Sequence, residues 1–247
     1  VDLAKNRYRS GSMPHHGKDA TDHGSLPIAP VRARRHRAFL FQAYVLIASG
    51  VFVVLAVLAH FRPYFAIDLT ITRALQSHHN RLLGEVMLAL TWLGFLPQVA
   101  ILGAAVIAGL YLAGLRREAA ATAFAALGMV LAMAIKLVVH RPRPSSNLVH
   151  VLNQLSSASF PSGHVMAATT FCGFLLFLTY TSLKPSLVRT ALLSLFGLLI
   201  ALMGPSRIYL GQHWFSDVMG AYVLGSLWLA ITIKLYRRGM RSASRSS

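Results

Sequence analysis

Residues 119–144 read AAATAFAALGMVLAMAIKLVVHRPRP. Over 119–139 the only charge is Lys136. A helix rising ~1.5 Å per residue over that length crosses a bilayer core of about 30 Å. The His-Arg-Pro-Arg-Pro that follows ends the helix, because Pro142 and Pro144 lack backbone donors and stiffen the exit. A membrane span closing on a lysine and two arginines decides the fold, since charge so placed serves either as an anchor or as part of a site.

Similar apolar runs flank it. Residues 39–59 are apolar but for Gln42 and Ser49 and form a first span. The rival reading is a secretory signal, but its core would be only about 7–15 residues long, and no small-residue cleavage pattern follows. Residues 82–96 carry Glu85, Trp92 and Gly94, a pattern suited to an interfacial or re-entrant helix. The second span is 99–115, and Arg116, Arg117 and Glu118 form a polar turn before the third at 119–139. Further spans fall at 165–181, 187–203 and 218–236. The expected fold is all-α: a polytopic membrane protein, a six-transmembrane-helix bundle with an extra interfacial helix between the first and second spans. Residues 1–37 are expected to be a disordered basic cytoplasmic tail, 38–237 the membrane domain and 238–247 a second basic cytoplasmic tail.

Composition agrees. The 247 residues are 55% hydrophobic and 13% charged, with a mean hydropathy of +0.56, too apolar for a soluble domain of this length. Lysine and arginine number 24 against 7 acids, a formal charge of +17. A basic membrane protein meets anionic headgroups, so the bilayer and its lipids, not nucleic acid, are the expected partners. Short-turn residues Arg116, Arg117, Lys184 and Arg189 lie on the same face as Arg32, Arg34, Arg35, Arg37, Arg237, Arg238 and Arg241, which makes that face cytoplasmic. The opposite loops hold Arg62, Arg73, Arg81, Arg141, Arg143 and Arg207. Six spans put both termini in the cytoplasm and the motif residues on the extracytoplasmic side of a cell (inner) membrane. The one cysteine, Cys172, allows neither an internal disulfide nor a cysteine metal cluster. His15, His16 and His23 of the tail read as solvated side chains, not metal ligands.

Three polar clusters remain: Lys136 with Arg143-Pro144, Pro161-Ser162-Gly163-His164, and Ser206-Arg207 followed by His213 and Asp217. Alone, Lys136 is a snorkelling anchor, the tetrapeptide a loop-to-helix junction, and His213 a polar interfacial residue. Together they describe a phosphate site. Planar guanidinium groups at Arg143 and Arg207 suit phosphate oxygens, Ser162 can cap the fourth helix, and Gly163 admits close backbone approach at a helix start that favours anions. His213 and Asp217, four apart at the start of the sixth helix, fall on one face and are expected to hydrogen-bond. After Glu118, Asp217 is the last acid. One aspartate cannot supply the oxygen ligands of a magnesium, calcium or two-metal site, so the site is expected to work without metal or other cofactor. His140 is expected near the site without a role. Trp92, Trp214 and Trp228 read as belt or packing residues, with Trp214 also considered as a lining of a lipid entrance.

The pattern Lys136, six residues, Arg143-Pro144, then Pro161-Ser162-Gly163-His164, then Ser206-Arg207, five residues, His213, three residues, Asp217 resembles the signature of the type 2 phosphatidic acid phosphatase superfamily of integral-membrane lipid phosphate phosphatases. The resemblance runs from the third span to the start of the sixth. It implies metal-independent dephosphorylation of a membrane lipid phosphate or pyrophosphate, with phosphatidic acid, phosphatidylglycerophosphate, polyprenyl diphosphate and lipid A types as candidate substrates. It further implies His213 as nucleophile, Asp217 as its orienting partner and His164 as proton donor to the leaving oxygen. Lys136, Arg143, Ser162, Gly163 and Arg207 would hold the phosphate. Two other readings are a lipid phosphotransferase using the same phosphohistidine and a non-catalytic basic membrane protein that binds anionic lipid.

Overall fold

The computed structural model describes residues 31–78, 80–93, 96–152 and 155–243; the expected tail before residue 31 and the last four residues lie outside them. Helices are α1 Val31–Phe61, α2 Ala66–Ser77, α3 Arg81–Leu93, α4 Leu96–Leu112, α5 Arg116–Ala126, α6 Gly128–Val139 and α7 Gly163–Ala167. A π-helical turn, Ala168–Cys172, joins α7 to α8 Gly173–Ser182, and α9 Leu187–Tyr209 and α10 Phe215–Ala243 follow. The chain divides into two units, 1–41 and 42–247; in the first, the described residues from Val31 onward are helical. The packing described below lies within the second.

The all-α expectation holds, with differences in its parts. Among the described residues, five helical stretches are long and apolar enough to cross a membrane: Arg35–Phe61, Arg116–Val139, Gly163–Ser182, Leu187–Tyr209 and Phe215–Met240. The expected second span is shorter, the apolar helix Gln98–Leu112; at ~1.5 Å per residue it falls short of a core about 30 Å thick. The six-span count is therefore not confirmed. Two helices, α2 and α3, stand where one interfacial helix was expected, and both pack on α9. The expected polar turn of Arg116 to Glu118 is already helix; the turn lies one step earlier, at Gly114, whose φ of 80° suits glycine. Outward faces are apolar, with Leu46, Ile47, Leu137, Val138 and Leu198 all exposed, as expected where lipid is the solvent and helices have no need to hide leucine from it.

Buried apolar residues and close-packed glycines bring the motif segments together. Val165, Ala168, Met203, Ile208, Val218 and Ala221 form one buried cluster joining α7, the π turn, α9 and α10. Pro205 lies inside α9 without ending it. The Tyr222 hydroxyl enters the ladder there, donating to the Ile200 carbonyl at 2.6 Å and accepting from Gly204 N–H at 3.2 Å. The helix thus continues through Ser206 and Arg207 to Tyr209. Gly211, at φ 65°, then turns the chain against the 147–152 loop; a Cβ there would lie 2.1 Å from the His150 carbonyl oxygen. At Gly220 on α10 a Cβ would meet the Phe160 ring at 2.5 Å, so its absence lets the 159–162 segment sit on α10 beside Asp217.

Candidate active site

His213 lies just before α10, buried, in the turn that Gly211 permits. Its Nε2 is 3.2 Å from Arg143 Nη1, and its Nδ1 faces Asp217 Oδ2 at 3.6 Å. The guanidinium can only donate, so Nε2 carries a lone pair and Nδ1 the proton, a tautomer assigned from these partners. The expected His213–Asp217 hydrogen bond is not formed, since 3.6 Å exceeds hydrogen-bond reach. Asp217 Oδ2 is occupied by Trp214 N–H at 2.8 Å and by the Ser159 hydroxyl. Burial pushes the His213 pKa well below the ordinary imidazole value, and the charges of Arg143, Lys136, Arg207 and His164 push it the same way. The ring is neutral near pH 7.

The cations converge from three elements. Arg143 donates to the carbonyls of Ser157 (2.7 Å) and Gln212 (2.6 Å) and to Ser157 Oγ, which holds its fork against His213. Burial lowers its pKa, and Asp217 acts in opposition. Lys136, near the end of α6, donates to the carbonyls of Ala158 and Ser159 and so holds the loop that carries Ser159. Arg207 is wholly buried at the end of α9 and donates to Thr91 Oγ1 of α3 at 2.9 Å. Arg207 Nε and Nη2 and Ser162 Oγ have no partner among the described residues. Ser162 occupies the N-cap position of α7, but its side chain makes no capping bond, contrary to expectation. A Cβ built on Gly163 would meet nothing within 4 Å, so there is open space beside it. His164 on α7 lies within electrostatic reach of Arg207, Arg143 and Lys136. All eight expected site residues thus gather in one place.

Sequence reasoning missed the support behind them. Arg141, counted only as a loop charge, is wholly buried and bonds Asp217 Oδ1 at 2.6 Å and Asp68 Oδ2 at 2.9 Å. Asp68 comes from α2, where it also closes the first turn by accepting from Phe65 N–H. Removing one partner from such a buried pair costs about 3–5 kcal/mol. A lone acid in the first turn of a short amphipathic helix, and an arginine two residues before Arg143, were the available signals. Trp214, considered for a lipid entrance, is instead buried, its Nε1–H on the Pro142 carbonyl and its ring beside Tyr64. His140 is exposed and caps α6 in a left-handed conformation. No group of three or more His, Cys, Asp or Glu able to hold a metal occurs among the described residues.

Apolar helices long enough to span a bilayer, with a buried imidazole between a carboxylate and three cations, define a polytopic membrane protein whose site suits a phosphorylated ligand. Residues 117–241 match the PAP2 superfamily. The chain is 32% identical over 183 residues to phosphatidylglycerophosphatase B of Bacillus subtilis, covering 71% of this chain and 86% of that protein. It is 32% identical over 155 residues to undecaprenyl-diphosphatase BcrC of the same organism, covering 60% and 72%. The crystal structure of the transmembrane PAP2 type phosphatidylglycerolphosphate phosphatase from Bacillus subtilis superposes with a TM-score of 0.68 at 26% identity, covering 78% of this chain and 96% of that one. LpxE of Aquifex aeolicus gives a TM-score of 0.55 at 28% identity, covering 69% and 96%. The chain belongs to the PAP2 superfamily and is a multi-pass membrane lipid phosphate phosphatase.

Proposed function

We propose that the protein hydrolyses phosphatidylglycerophosphate or undecaprenyl diphosphate through a phosphohistidine on His213, without a metal. The observation that carries this reading is the set of buried polar atoms without partners among the described residues, Arg207 Nε and Nη2 and Ser162 Oγ, in the same site as the Nε2 lone pair of His213. A buried guanidinium with unmade bonds is costly, and phosphate oxygens would supply the missing acceptors. Lys136, Arg143, Arg207, Ser162 and the Gly163 backbone hold the phosphoryl oxygens and offset the charge that builds on them in the transition state. His213 Nε2 attacks phosphorus as the P–O bond to the leaving group breaks, an ester bond in phosphatidylglycerophosphate and a phosphoanhydride bond in undecaprenyl diphosphate, and His164 gives its proton to the leaving oxygen. Water then attacks the phosphohistidine, losing a proton to His164 while the P–N bond breaks; orthophosphate leaves and His213 returns to its neutral form. Asp217, 3.6 Å from Nδ1, favours the attacking tautomer through its charge, without a hydrogen bond to the ring. The names of the relatives suggest the two substrates, and phosphatidic acid and a lipid A 1-phosphate complete the test panel.

The purified protein in mixed micelles should release orthophosphate from phosphatidylglycerophosphate or undecaprenyl diphosphate, at the same rate with excess EDTA. A carboxylate-poor site supports this. Loss of activity in EDTA with recovery in magnesium would overturn the metal-free route, and release from neither phosphatidylglycerophosphate nor undecaprenyl diphosphate would overturn the substrate assignment.

The site is proposed to face the extracytoplasmic side, with both termini in the cytoplasm, on the strength of Arg116 and Arg117 at the start of α5 and the basic residues towards both ends of the chain. Shared sidedness of the termini requires α4 to cross as a sixth span despite its length. In a Cys172→Ser background, Asn147→Cys should react with an impermeant thiol reagent in intact cells and Arg116→Cys should not. The reverse pattern would put the site in the cytoplasm.

A further inference from the structure

Asp68, Arg141 and Asp217 form a continuous buried chain whose last carboxylate faces His213 Nδ1 at 3.6 Å. Arg141 Nη1 lies on Asp217 Oδ1 and Nη2 on Asp68 Oδ2, and both carboxylates and the guanidinium are completely shielded from solvent. Arg141 Nε donates to the Arg62 carbonyl at 3.3 Å, and its guanidinium lies over the Phe65 ring at 4.9 Å, so its plane is fixed on every side. Asp68 also accepts from the backbone N–H (2.8 Å) and hydroxyl (2.9 Å) of Ser216, the residue next to Asp217. Ser216 Oγ in turn accepts from Arg141 Nη1 at 2.7 Å. One carboxylate from α2 therefore holds both the arginine on Asp217 and the first turn of α10 that carries it.

Charge makes this more than a clamp. Arg141 by itself would cancel Asp217, leaving no net negative charge behind an imidazole that must become cationic as it bonds to phosphorus. With Asp68 the trio carries one net negative charge. The groups whose charges lower the His213 pKa are positive or become so on protonation: Arg143, Lys136, Arg207 and His164.

We propose that Asp68 is a positioning residue of the phosphatase reaction, acting through Arg141 to keep Asp217 oriented and the group behind His213 net negative. The inference rests on the reading of His213 as nucleophile. It touches neither the phosphate cradle nor the leaving group, so its effect belongs in the rate of phosphohistidine formation and not in binding. Outer partners that orient the groups of a metal site change activity by about 10–100-fold when lost, and Asp68, acting through Arg141 on Asp217, is expected to fall on that scale.

The test uses the full-length protein in micelles, with Asp68→Asn, which keeps the shape and an acceptor for Ser216 but removes the charge. Rapid-quench kinetics on the best lipid substrate should show kcat and the rate of acid-labile phosphoenzyme formation falling about 10–100-fold, with KM within about twofold of the parent, in protein whose thermal unfolding remains cooperative. A parental kcat in folded protein would overturn the proposal, as would a KM that rises in step with the loss. If Asp68→Asn does not yield folded protein, Arg141→Lys is measured against the same criteria, since it keeps the charge between the carboxylates but loses the two-pronged geometry. His213→Ala separates the two readings. If His213→Ala is inert while folded Asp68→Asn is unimpaired, only the role of Asp68 falls; if His213→Ala turns over, the nucleophile assignment falls first.

Discussion

His213→Ala should lower phosphate release by at least about 10⁴-fold and leave no acid-labile phosphate on the protein, since removing a nucleophile deletes the reaction path and not merely a contact to the transition state. The proposed cradle of Lys136, Arg143 and Arg207 is untouched by the change, so lipid phosphate binding should survive. Losing the imidazole also relieves Arg143 of a neighbour and leaves the Asp68–Arg141–Asp217 chain intact, so the fold should persist. Because burial and surrounding cations hold His213 well below the usual imidazole pKa, its lone pair stays available through mildly acidic pH. Turnover should therefore not fall off near pH 6 through protonation of this ring. Substantial turnover by His213→Ala, or labelling of that variant, would transfer the nucleophile's role to another residue.

His164→Ala should behave differently, with turnover of an alkyl phosphate falling about 10²–10⁴-fold, the usual contribution of a positioned acid or base. With an activated aryl ester the leaving oxygen needs little protonation, so phosphate should still pass to His213, yet hydrolysis should lag because the base that activates water is gone. Quenching at alkaline pH, where phosphohistidine survives better than in acid, should then trap labelled protein. The alkaline limb of the pH–rate profile, which reports loss of the proton donor, should also change. An unaltered profile and no trapped intermediate would remove His164 from the acid–base role.

The spacing of Lys136, Arg143, Ser162, Gly163, His164, Arg207, His213 and Asp217 was readable because each sits at or near a helix end, where a polar residue in an apolar chain stands out. The supporting residues were not. Asp68 lies some 150 positions from Asp217 in sequence, and nothing local to either announces that one arginine joins them. Arg141 looked like one more loop charge until packing buried it. Ser159 and Thr91 are ordinary polar residues whose importance comes from what they touch, the Asp217 carboxylate and the Arg207 guanidinium.

Helical class followed in the same way from apolar runs, because in lipid every backbone donor must be satisfied within its own segment, so hydrophobic length alone predicts a helix. Boundaries did not. The Gly204-Pro205 pair resembles a helix end, yet α9 continues because the Tyr222 hydroxyl enters its ladder from another helix. The sequence by itself determined that this is a helical membrane protein with a cationic, histidine-bearing site, since composition and end-of-helix spacing are local properties. Only the tertiary structure decided that the site has two buried carboxylates instead of one, and that α2 and α3 rest on α9 and help build it. Long-range ion pairs and hydrogen bonds form between groups that sequence places far apart, and their energies depend on burial that no single segment can reveal.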